Sequence, residues 1–96
     1  NGAATRYGRR KETSDKLSDF KPDCILLWEA DERRPDFFND GASYPDEGIS
    51  ERHGQGGTVG LFSGSVEYIR YKKYYEIEAD PQKNRLWCAS DTPNGR

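Results

Sequence analysis

The sequence predicts a small α+β domain, with a mainly antiparallel sheet of three to four strands, a long irregular loop and a short helix. Three observations lead to this fold class. The run Cys24–Glu29 is mostly apolar but too short for a stable lone helix, so it indicates a strand. Two further β-prone runs flank the turn signal Ser63-Gly64, which is typical of a hairpin. Tyrosines at helical spacing then precede Pro81, a residue that ends helices.

The turn at Ser63-Gly64 sets the expected register of the hairpin. A two-residue loop places Leu61 opposite Val66, and Val59 opposite Tyr68. Because side chains alternate along a strand, these four lie on the same face of the sheet. The sequence therefore predicts that all four are buried, and that a slip of one residue would expose them.

The run Cys24–Glu29 is expected to be a central strand of this sheet, with both of its faces covered. Alternation divides its side chains into two sets, with Cys24, Leu26 and Trp28 on one face and Ile25 and Leu27 on the other. The later segment Asn84–Ala89 is expected to be either a last strand or an extended segment laid on the core.

The stretch after the hairpin permits two interpretations. Helical spacing is kept by Tyr71, Tyr74, Tyr75 and Glu78. An alternation through Ile77 and Ala79 also permits a strand. We favour a short helix, because Pro81 follows as a natural terminator.

A long irregular loop, Ala30–Arg52, separates the first strand from the hairpin and is rich in turn residues. Phe37, Phe38 and Tyr44 are expected to hold it against the sheet. Before the first strand, residues 1–21 have little apolar content and are expected to be a polar linker, which makes 22–96 the globular domain. A basic cluster in the linker also permits contact with anionic lipid headgroups.

Composition argues against two classes of function. Hydrophobic residues make up 32% and charged residues 33%, so the core is small, and the 12% of aromatic residues should supply much of its packing. The 17 acidic and 15 basic residues give a net charge of −2, which argues against a dedicated nucleic-acid-binding protein. The longest apolar run, Cys24–Trp28, is far too short to span a membrane.

Acidic residues of the long loop form a candidate calcium site. Counted from Asp36, an EF-hand pattern finds Asp40 at position five and Glu47 at position twelve, but Phe38 occupies a ligand position. An EF-hand is therefore not expected. A different oxygen site remains a hypothesis, with ligands drawn from Asp36, Asp40, Asp46 and Glu47. The alternative is a solvated acidic loop.

The two cysteines, Cys24 and Cys88, fit no zinc motif and no Cys-x-x-Cys redox motif. In a secreted protein they are candidates for a disulfide, which would close most of the domain and contribute about 4 kcal/mol by the loop-entropy model. The alternative is a pair of buried, unlinked thiols.

The sequence predicts no enzymatic activity. His53 is the only histidine, and no nucleophile motif such as Gly-x-Ser-x-Gly accompanies it, so we expect a structural role for its imidazole. The glycines at 54, 56 and 57 precede a strand rather than a helix, which favours tight turning over phosphate binding. No pair of acidic residues stands out as the pair that glycoside hydrolysis needs.

The order of several motifs resembles a known family. His53, nine intervening residues and a turn ending at Gly64 are similar to the H-x9-DG signature, although Ser63 stands where the signature has Asp. Further similarities are Trp28-Glu29, Asn39–Gly41, Tyr44–Gly48, Arg85–Cys88 and Asn94-Gly95. Over roughly residues 20–96 the chain thus resembles bacterial prepilin-like proteins, which are related to pseudopilins.

This resemblance implies a non-enzymatic structural subunit of a type II secretion or type IV pilus-like assembly. Proteins of this family carry a short leader and a long apolar helix, which anchors them in the inner membrane and packs against other subunits. We therefore expect the printed chain to be the head domain of a longer protein, on the periplasmic or extracellular side of the cell envelope. The resemblance also implies architectural roles for His53, Gly64, Trp28 and Trp87, and some pseudopilins bind calcium in a loop of the head.

Two other functions remain open. One is a secreted binding module for carbohydrate or another surface ligand, in which exposed aromatic side chains such as Trp87 would stack on the ligand. The other is an adhesion domain stabilised by calcium.

Overall fold

The computed structural model describes residues 1–5, 17–31, 33, 44–51, 54–90 and 92–96. Its elements are, in chain order, helix α1 (Gly2–Thr5), a 3₁₀ turn (Leu17–Asp19), strand β1 (Ile25–Trp28), a second 3₁₀ turn (Pro45–Glu47), strand β2 (Gly56–Leu61), strand β3 (Val66–Arg70) and helix α2 (Tyr71–Ala79). The strands form one antiparallel sheet in the order β1-β2-β3. The predicted small α+β fold is confirmed.

The hairpin loop holds three residues, Phe62, Ser63 and Gly64, between the hydrogen-bonded residues Leu61 and Ser65, rather than the predicted two. The N–H of Leu61 donates to the carbonyl of Ser65 at 2.9 Å, and the N–H of Gly64 donates to the carbonyl of Leu61 at 3.0 Å. Gly64 has φ +88°, a left-handed conformation that glycine adopts without a Cβ penalty. A turn closed by such a glycine is a common three-residue hairpin loop.

The extra loop residue shifts the register by one position. Gly60 lies opposite Val66, and Thr58 lies opposite Tyr68, so the predicted pairs of Leu61 with Val66 and Val59 with Tyr68 are wrong. Val59 is buried on the inner face as predicted, but its buried neighbour on β3 is Ile69. The two side chains are 1% and 4% exposed. Val66 and Tyr68 instead lie on the outer face and are 72% and 53% exposed.

Strand β1 is an edge strand, and the prediction of a central strand with both faces covered is wrong. Its pairing with β2 contains an irregularity between Ile25 and Leu27, where one extra residue is inserted. The insertion places Ile25 and Trp28 on the same inner side, although strict alternation predicts opposite faces for them. Leu27 lies opposite Gly60 on the outer face and is 63% exposed.

Helix α2 covers the inner face of the sheet, which confirms the helical interpretation of this stretch. It ends at Ala79, two residues before Pro81. Tyr74 is fully buried and packs with Val59 and Ile69, and its hydroxyl donates to the carbonyl of Pro45 at 2.9 Å. That bond connects the helix to the end of the long loop, where Tyr44 also packs against the core as expected. Phe37 and Phe38 lie outside the described residues.

The segment Asn84–Ala89 packs on the core but is neither a strand nor extended, so both predicted forms are wrong: the chain bends over residues 85–87, and the N–H of Asn84 donates to the carbonyl of Trp87 at 2.9 Å. Leu86, Trp87, Cys88 and Ala89 are all buried. Asn84 organises the segment through its side-chain amide. Its Oδ1 accepts the N–H groups of Leu86 and Trp87 at 2.9 and 3.0 Å, and its Nδ2 donates to the carbonyls of Ile77 and Gln82 at 2.9 and 3.0 Å.

Gly95 completes the C-terminal segment. It has φ +74°, and a Cβ at this position would lie 1.7 Å from the carbonyl oxygen of Trp87, so no other residue fits without a shift of the main chain. Its own carbonyl accepts the N–H of Ala89 at 2.9 Å. The guanidinium of Arg96 then lies 4.3 Å above the Trp87 ring, a cation–π contact that covers the indole.

The first five residues pack against the domain, although the sequence assigns them to a polar linker. Asn1 caps α1, because its Oδ1 accepts the N–H groups of Ala3 and Ala4 at 3.1 and 3.2 Å. Ala3 and Ala4 are fully buried. The amide of Asn1 also donates to the carbonyls of Ile25 and Leu86, both at 2.9 Å, next to the outer edge of β1. Residues 6–16 of the predicted linker lie outside the described residues.

Changing Ser63 to Asp or Asn is expected to leave stability equal or improved. The hydroxyl of Ser63 accepts the N–H of Ser65 at 3.2 Å, and a carboxylate or amide oxygen can accept the same bond. Urea denaturation measures the effect. A loss above roughly 1 kcal/mol would contradict this role for the side chain. Gly64→Ala is the matched control and is expected to lose about 1 kcal/mol, because φ +88° disfavours a Cβ.

Candidate functional sites: a dithiol cleft and an uncovered sheet face

A cleft of about 320 Å³ lies between the chain before β1 and the C-terminal segment. Its lining residues are Asp19, Phe20, Lys21, Asp23, Cys24, Lys83, Asn84, Arg85 and Cys88. Because the two cysteines come from these two segments, the fold brings together residues that are far apart in the chain. The cleft is therefore a candidate site, because two thiols lie side by side in its wall.

Cys24 and Cys88 meet in this cleft as unlinked thiols. Both residues are buried, at 5% and 2% exposure, and together with Ala4 they form a small cluster of their own. The two residues pack in the same cluster, and each is the largest influence on the pKa of the other. The predicted disulfide is not formed in this structure, but its two candidate partners are neighbours.

The two thiols differ in their acidity. The hydrogen bond from Cys88 is the main cause that lowers the pKa of Cys24 to about 7, and a main-chain hydrogen bond and the positive charge of Lys21 lower it further. Burial and the charge of Asp23 act in the opposite direction. The pKa of Cys88 is raised, first by its hydrogen bond to Cys24 and then by burial. Cys24 is therefore the thiol that ionises first.

A network of main-chain bonds fixes the position of Cys24. The carbonyl of Lys21 accepts the N–H of Cys24 at 3.0 Å, which closes a turn directly before β1. The carbonyl of Cys24 accepts the N–H of Phe62 at 3.0 Å, so the turn is connected to the loop between β2 and β3. Phe62 also stacks on Phe20, with ring centroids 4.3 Å apart, and both rings pack against the cysteine cluster.

Arg85 holds the opposite side of the cleft. Its Nε donates to the carbonyl of Asp23 at 2.9 Å, and its guanidinium forms an ion pair with the carboxylate of Glu67 on β3. Lys83 reaches the carbonyls of Ser90 and Thr92 at 3.4 Å. The bond from Arg85 to Asp23 connects the chain before β1 to the C-terminal segment, and so holds together the two segments that carry the cysteines.

The second candidate site is the outer face of the sheet. Leu27 on β1 and Val66 and Tyr68 on β3 lie on this face and are 63%, 72% and 53% exposed. Gly60 lies between Leu27 and Val66 on the central strand, so the surface there is nearly flat. Helix α2 packs on the opposite, inner face. The outer face is therefore a flat and mainly apolar surface, which is typical of a protein contact.

The two tryptophans make hydrogen bonds to the main chain of other segments. Trp28 donates from its indole N–H to the carbonyl of Gly48 at 3.1 Å and is half-buried. Trp87 is only 8% exposed and donates to the carbonyl of Glu78 on α2 at 2.8 Å. A sugar-stacking platform built on Trp87 is therefore wrong. The most exposed aromatic side chains described are Tyr68 and Tyr75, which lie on opposite sides of the sheet.

Several predicted site residues lie outside the described residues, namely His53, Asp36 and Asp40. Of the other calcium candidates, Asp46 is exposed, and the Oε2 of Glu47 accepts the N–H of Tyr44 at 2.9 Å in a capping box. Among the described residues, no group of three or more His, Cys, Asp or Glu side chains is placed to hold a metal ion.

We expect calcium to leave the melting temperature unchanged relative to a chelator. The Glu47 carboxylate already caps the 3₁₀ turn at Pro45. Within the described ranges, no group of acidic side chains is placed with it to hold a metal ion. Differential scanning calorimetry in calcium and in EGTA measures the effect. A clear rise in the melting temperature in calcium would contradict this expectation and would show that the folded state binds calcium, because ligands of the folded state raise stability.

Two polar residues that organise the structure have no obvious signal in the sequence. Asn84 makes four side-chain hydrogen bonds across three segments. Asp31 has a buried carboxylate that accepts two hydrogen bonds from the guanidinium of Arg33, from Nε at 2.9 Å and from Nη2 at 2.8 Å. The ion pair raises the pKa of Arg33 above its ordinary value, with the hydrogen bond to Asp31 as the largest cause. Asparagine and aspartate are common in turns, so their presence in the sequence does not indicate which of them organise several segments through hydrogen bonds.

The sheet and its covering helix define the protein as a small α+β domain, and the dithiol cleft is its most distinctive site. A comparison with models of known protein families gives no match for this chain, and no curated protein or solved structure matches it either. No helix among the described residues is long and apolar enough to cross a membrane.

Proposed function

We propose that the chain is the head domain of a prepilin-like subunit, a non-enzymatic structural protein of a type II secretion or type IV pilus-like assembly in the cell envelope. The observation that carries the proposal is a division between two sets of residues. Gly64, Trp28 and Trp87, which belong to the motifs of the resemblance, make contacts inside the domain. The outer face of the sheet, by contrast, leaves apolar side chains exposed. A head domain that presents a surface for contact with other proteins has this distribution.

The scaffold contacts of the signature residues support the first half of this argument. Gly64 closes the loop between β2 and β3 with a positive φ of 88°. Trp28 connects β1 to the end of the long loop at Gly48, and Trp87 connects the C-terminal segment to α2 at Glu78. Gly64 thus closes a turn, and the two tryptophans each join separate segments of the chain, which is what architectural residues are expected to do.

The character of the outer face supports the second half. Leu27, Val66 and Tyr68 expose apolar area around Gly60, and Thr58 on β2 is neutral. Arg70 adds one exposed positive charge at the end of β3. Such a surface favours the packing of a second protein surface over binding of a polyanion, which needs clustered positive charge. We assign it to contact with a neighbouring subunit of the same assembly. The anchoring helix of this family would lie outside the printed sequence.

Reading the complete gene and locating its product tests the proposal. We expect the gene to encode a short leader and an apolar segment of about 20 residues before the head domain, since that length spans a bilayer as a helix. The full-length product should then fractionate with the inner membrane. An ordinary cleaved signal peptide and a freely secreted product would contradict the proposal and would favour a secreted binding module.

A further inference from the structure

The dithiol cleft joins three features that a purely structural pair of thiols does not need. The thiols touch each other, they line an opening rather than the closed core, and one of them ionises more easily than the other. The cleft volume of about 320 Å³ lies at the lower end of the range for small-molecule sites, which is roughly 300–1,000 Å³. The cleft therefore leads to a preformed pair of neighbouring thiols, which are 5% and 2% exposed at its wall.

We propose that Cys24 and Cys88 form a thiol–disulfide exchange site that reacts with small-molecule disulfides entering the cleft and closes to an internal disulfide. In the first step, the Cys24 thiolate attacks one sulfur of the small disulfide, and one small thiolate leaves. In the second step, the Cys88 thiolate attacks the Cys24 sulfur and releases the second small thiolate. Two protein thiols are oxidised, one small disulfide is reduced to two thiols, and the two protons pass to the released thiolates.

Position and acidity assign the order of these two steps. Cys24 follows the turn that begins at Lys21, whose main-chain hydrogen bond and positive charge favour the thiolate. Cys88 belongs to the C-terminal segment, and its pKa is raised. Both thiols are nearly buried, at 5% and 2% exposure, so exposure does not separate them, and the attacking thiol is the one that ionises more easily. Cys24 is therefore the attacking residue, and Cys88 is the residue that resolves the mixed disulfide.

Closing the pair would lock the C-terminal segment onto the start of β1. In the reduced structure this connection depends on non-covalent contacts, among them the bonds of Arg85 to Asp23 and of Asn1 to Leu86. A bond between residues 24 and 88 closes most of the domain into one loop and constrains the unfolded chain. Oxidation therefore raises the melting temperature, by an amount on the order of 15 °C for a chain of this size.

Incubation of the folded, fully reduced protein with glutathione disulfide tests the proposal by mass spectrometry. The wild-type chain is expected to lose two hydrogens and to gain no lasting glutathionyl group. Cys88→Ser is expected to accumulate one glutathionyl group on Cys24, because the resolving thiol is missing. Cys24→Ser is expected to react at least about tenfold more slowly, because Cys88 is buried and ionises poorly.

The same measurement has outcomes that would overturn the proposal. Equal trapping by the two single variants would remove the assigned order of attack. A wild-type chain that stays reduced in glutathione disulfide while remaining folded by circular dichroism would show that the thiols are inert core residues. Cys24→Ser/Cys88→Ser is the control for the melting temperature, which should not respond to oxidant in this variant.

A comparison of two variants at Cys88 isolates the role of the hydrogen bond. Serine at position 88 keeps a hydroxyl donor for the Cys24 sulfur, whereas Cys88→Ala removes the largest cause of the lowered Cys24 pKa. At neutral pH, Cys88→Ala is expected to trap glutathione roughly threefold more slowly than Cys88→Ser, since a smaller thiolate fraction outweighs its greater nucleophilicity. Equal rates would show that Cys88 does not activate Cys24.

Discussion

Ile69→Asp is expected to unfold the domain at 25 °C, whereas the same change at the adjacent Tyr68 leaves it folded. Ile69 is 4% exposed and packs with Val59 and Tyr74, so aspartate would lose that packing and bury a charge without a partner. The loss is about 5 kcal/mol or more, comparable to the whole stability of a small domain. Tyr68 is 53% exposed on the outer face, where the carboxylate of an aspartate stays hydrated.

Circular dichroism and urea denaturation of the two variants give the comparison. Tyr68→Asp is expected to lose no more than about 1 kcal/mol, from the change in strand propensity and surface packing. The opposite result, with Tyr68→Asp unfolded and Ile69→Asp stable, is what a two-residue hairpin loop would produce. That result would contradict the register in which Thr58 lies opposite Tyr68.

Asn84→Ala is expected to destabilise the domain by about 3 kcal/mol. The substitution removes two hydrogen bonds accepted from the main chain of Leu86 and Trp87 and two donated to Ile77 and Gln82. Leu86 and Trp87 are buried, so their N–H groups would be left without partners in a region that water reaches poorly. Urea denaturation monitored by tryptophan fluorescence measures the loss, because Trp87 lies in the affected segment.

Asn84→Asp is the matched control for this effect. A carboxylate keeps the acceptor for Leu86 and Trp87 but loses the two donated bonds, so an intermediate loss is expected. If both variants were as stable as the wild-type protein, Asn84 would not organise the C-terminal segment, and the placement of Cys88 next to Cys24 would need another cause.

The existence of the hairpin could be predicted from sequence, but its register could not. A turn signal at Ser63-Gly64 fits a two-residue loop, and the same glycine also fits the last position of a three-residue loop that begins at Phe62. The choice is decided by packing, because only the three-residue loop brings Ile69 under α2 with Val59. Local turn chemistry does not contain that information.

Strand β1 shows the same limit. Its apolar run predicts a strand, and the strand is present over Ile25–Trp28. The inserted residue between Ile25 and Leu27 has no signature in an uninterrupted run of large apolar side chains. As a result, strict alternation separates Ile25 from Trp28 and misses the exposure of Leu27 on the outer face.

Patterns between near neighbours in the chain predict helix α2, whereas the contact between the two cysteines depends on residues far apart in the sequence. Helical spacing and Pro81 depend on neighbours in the chain, so α2 could be identified from them. Cys24 and Cys88 are far apart in the sequence, and their contact depends on the C-terminal segment folding back over β1. Sequence alone could therefore identify the pair as a candidate without deciding between a disulfide and separate thiols.

Site-specific photo-crosslinking of the full-length protein in its own cells tests the central claim most directly. A photoreactive phenylalanine analogue replaces Val66 on the outer sheet face, and Glu76, exposed on α2, is the control position. We predict crosslinks to other subunits of an envelope assembly from position 66 and far fewer from position 76. Crosslinking that is equal at both positions, or absent from position 66 in membranes that contain the protein, would contradict the claim that the outer face meets a neighbouring subunit.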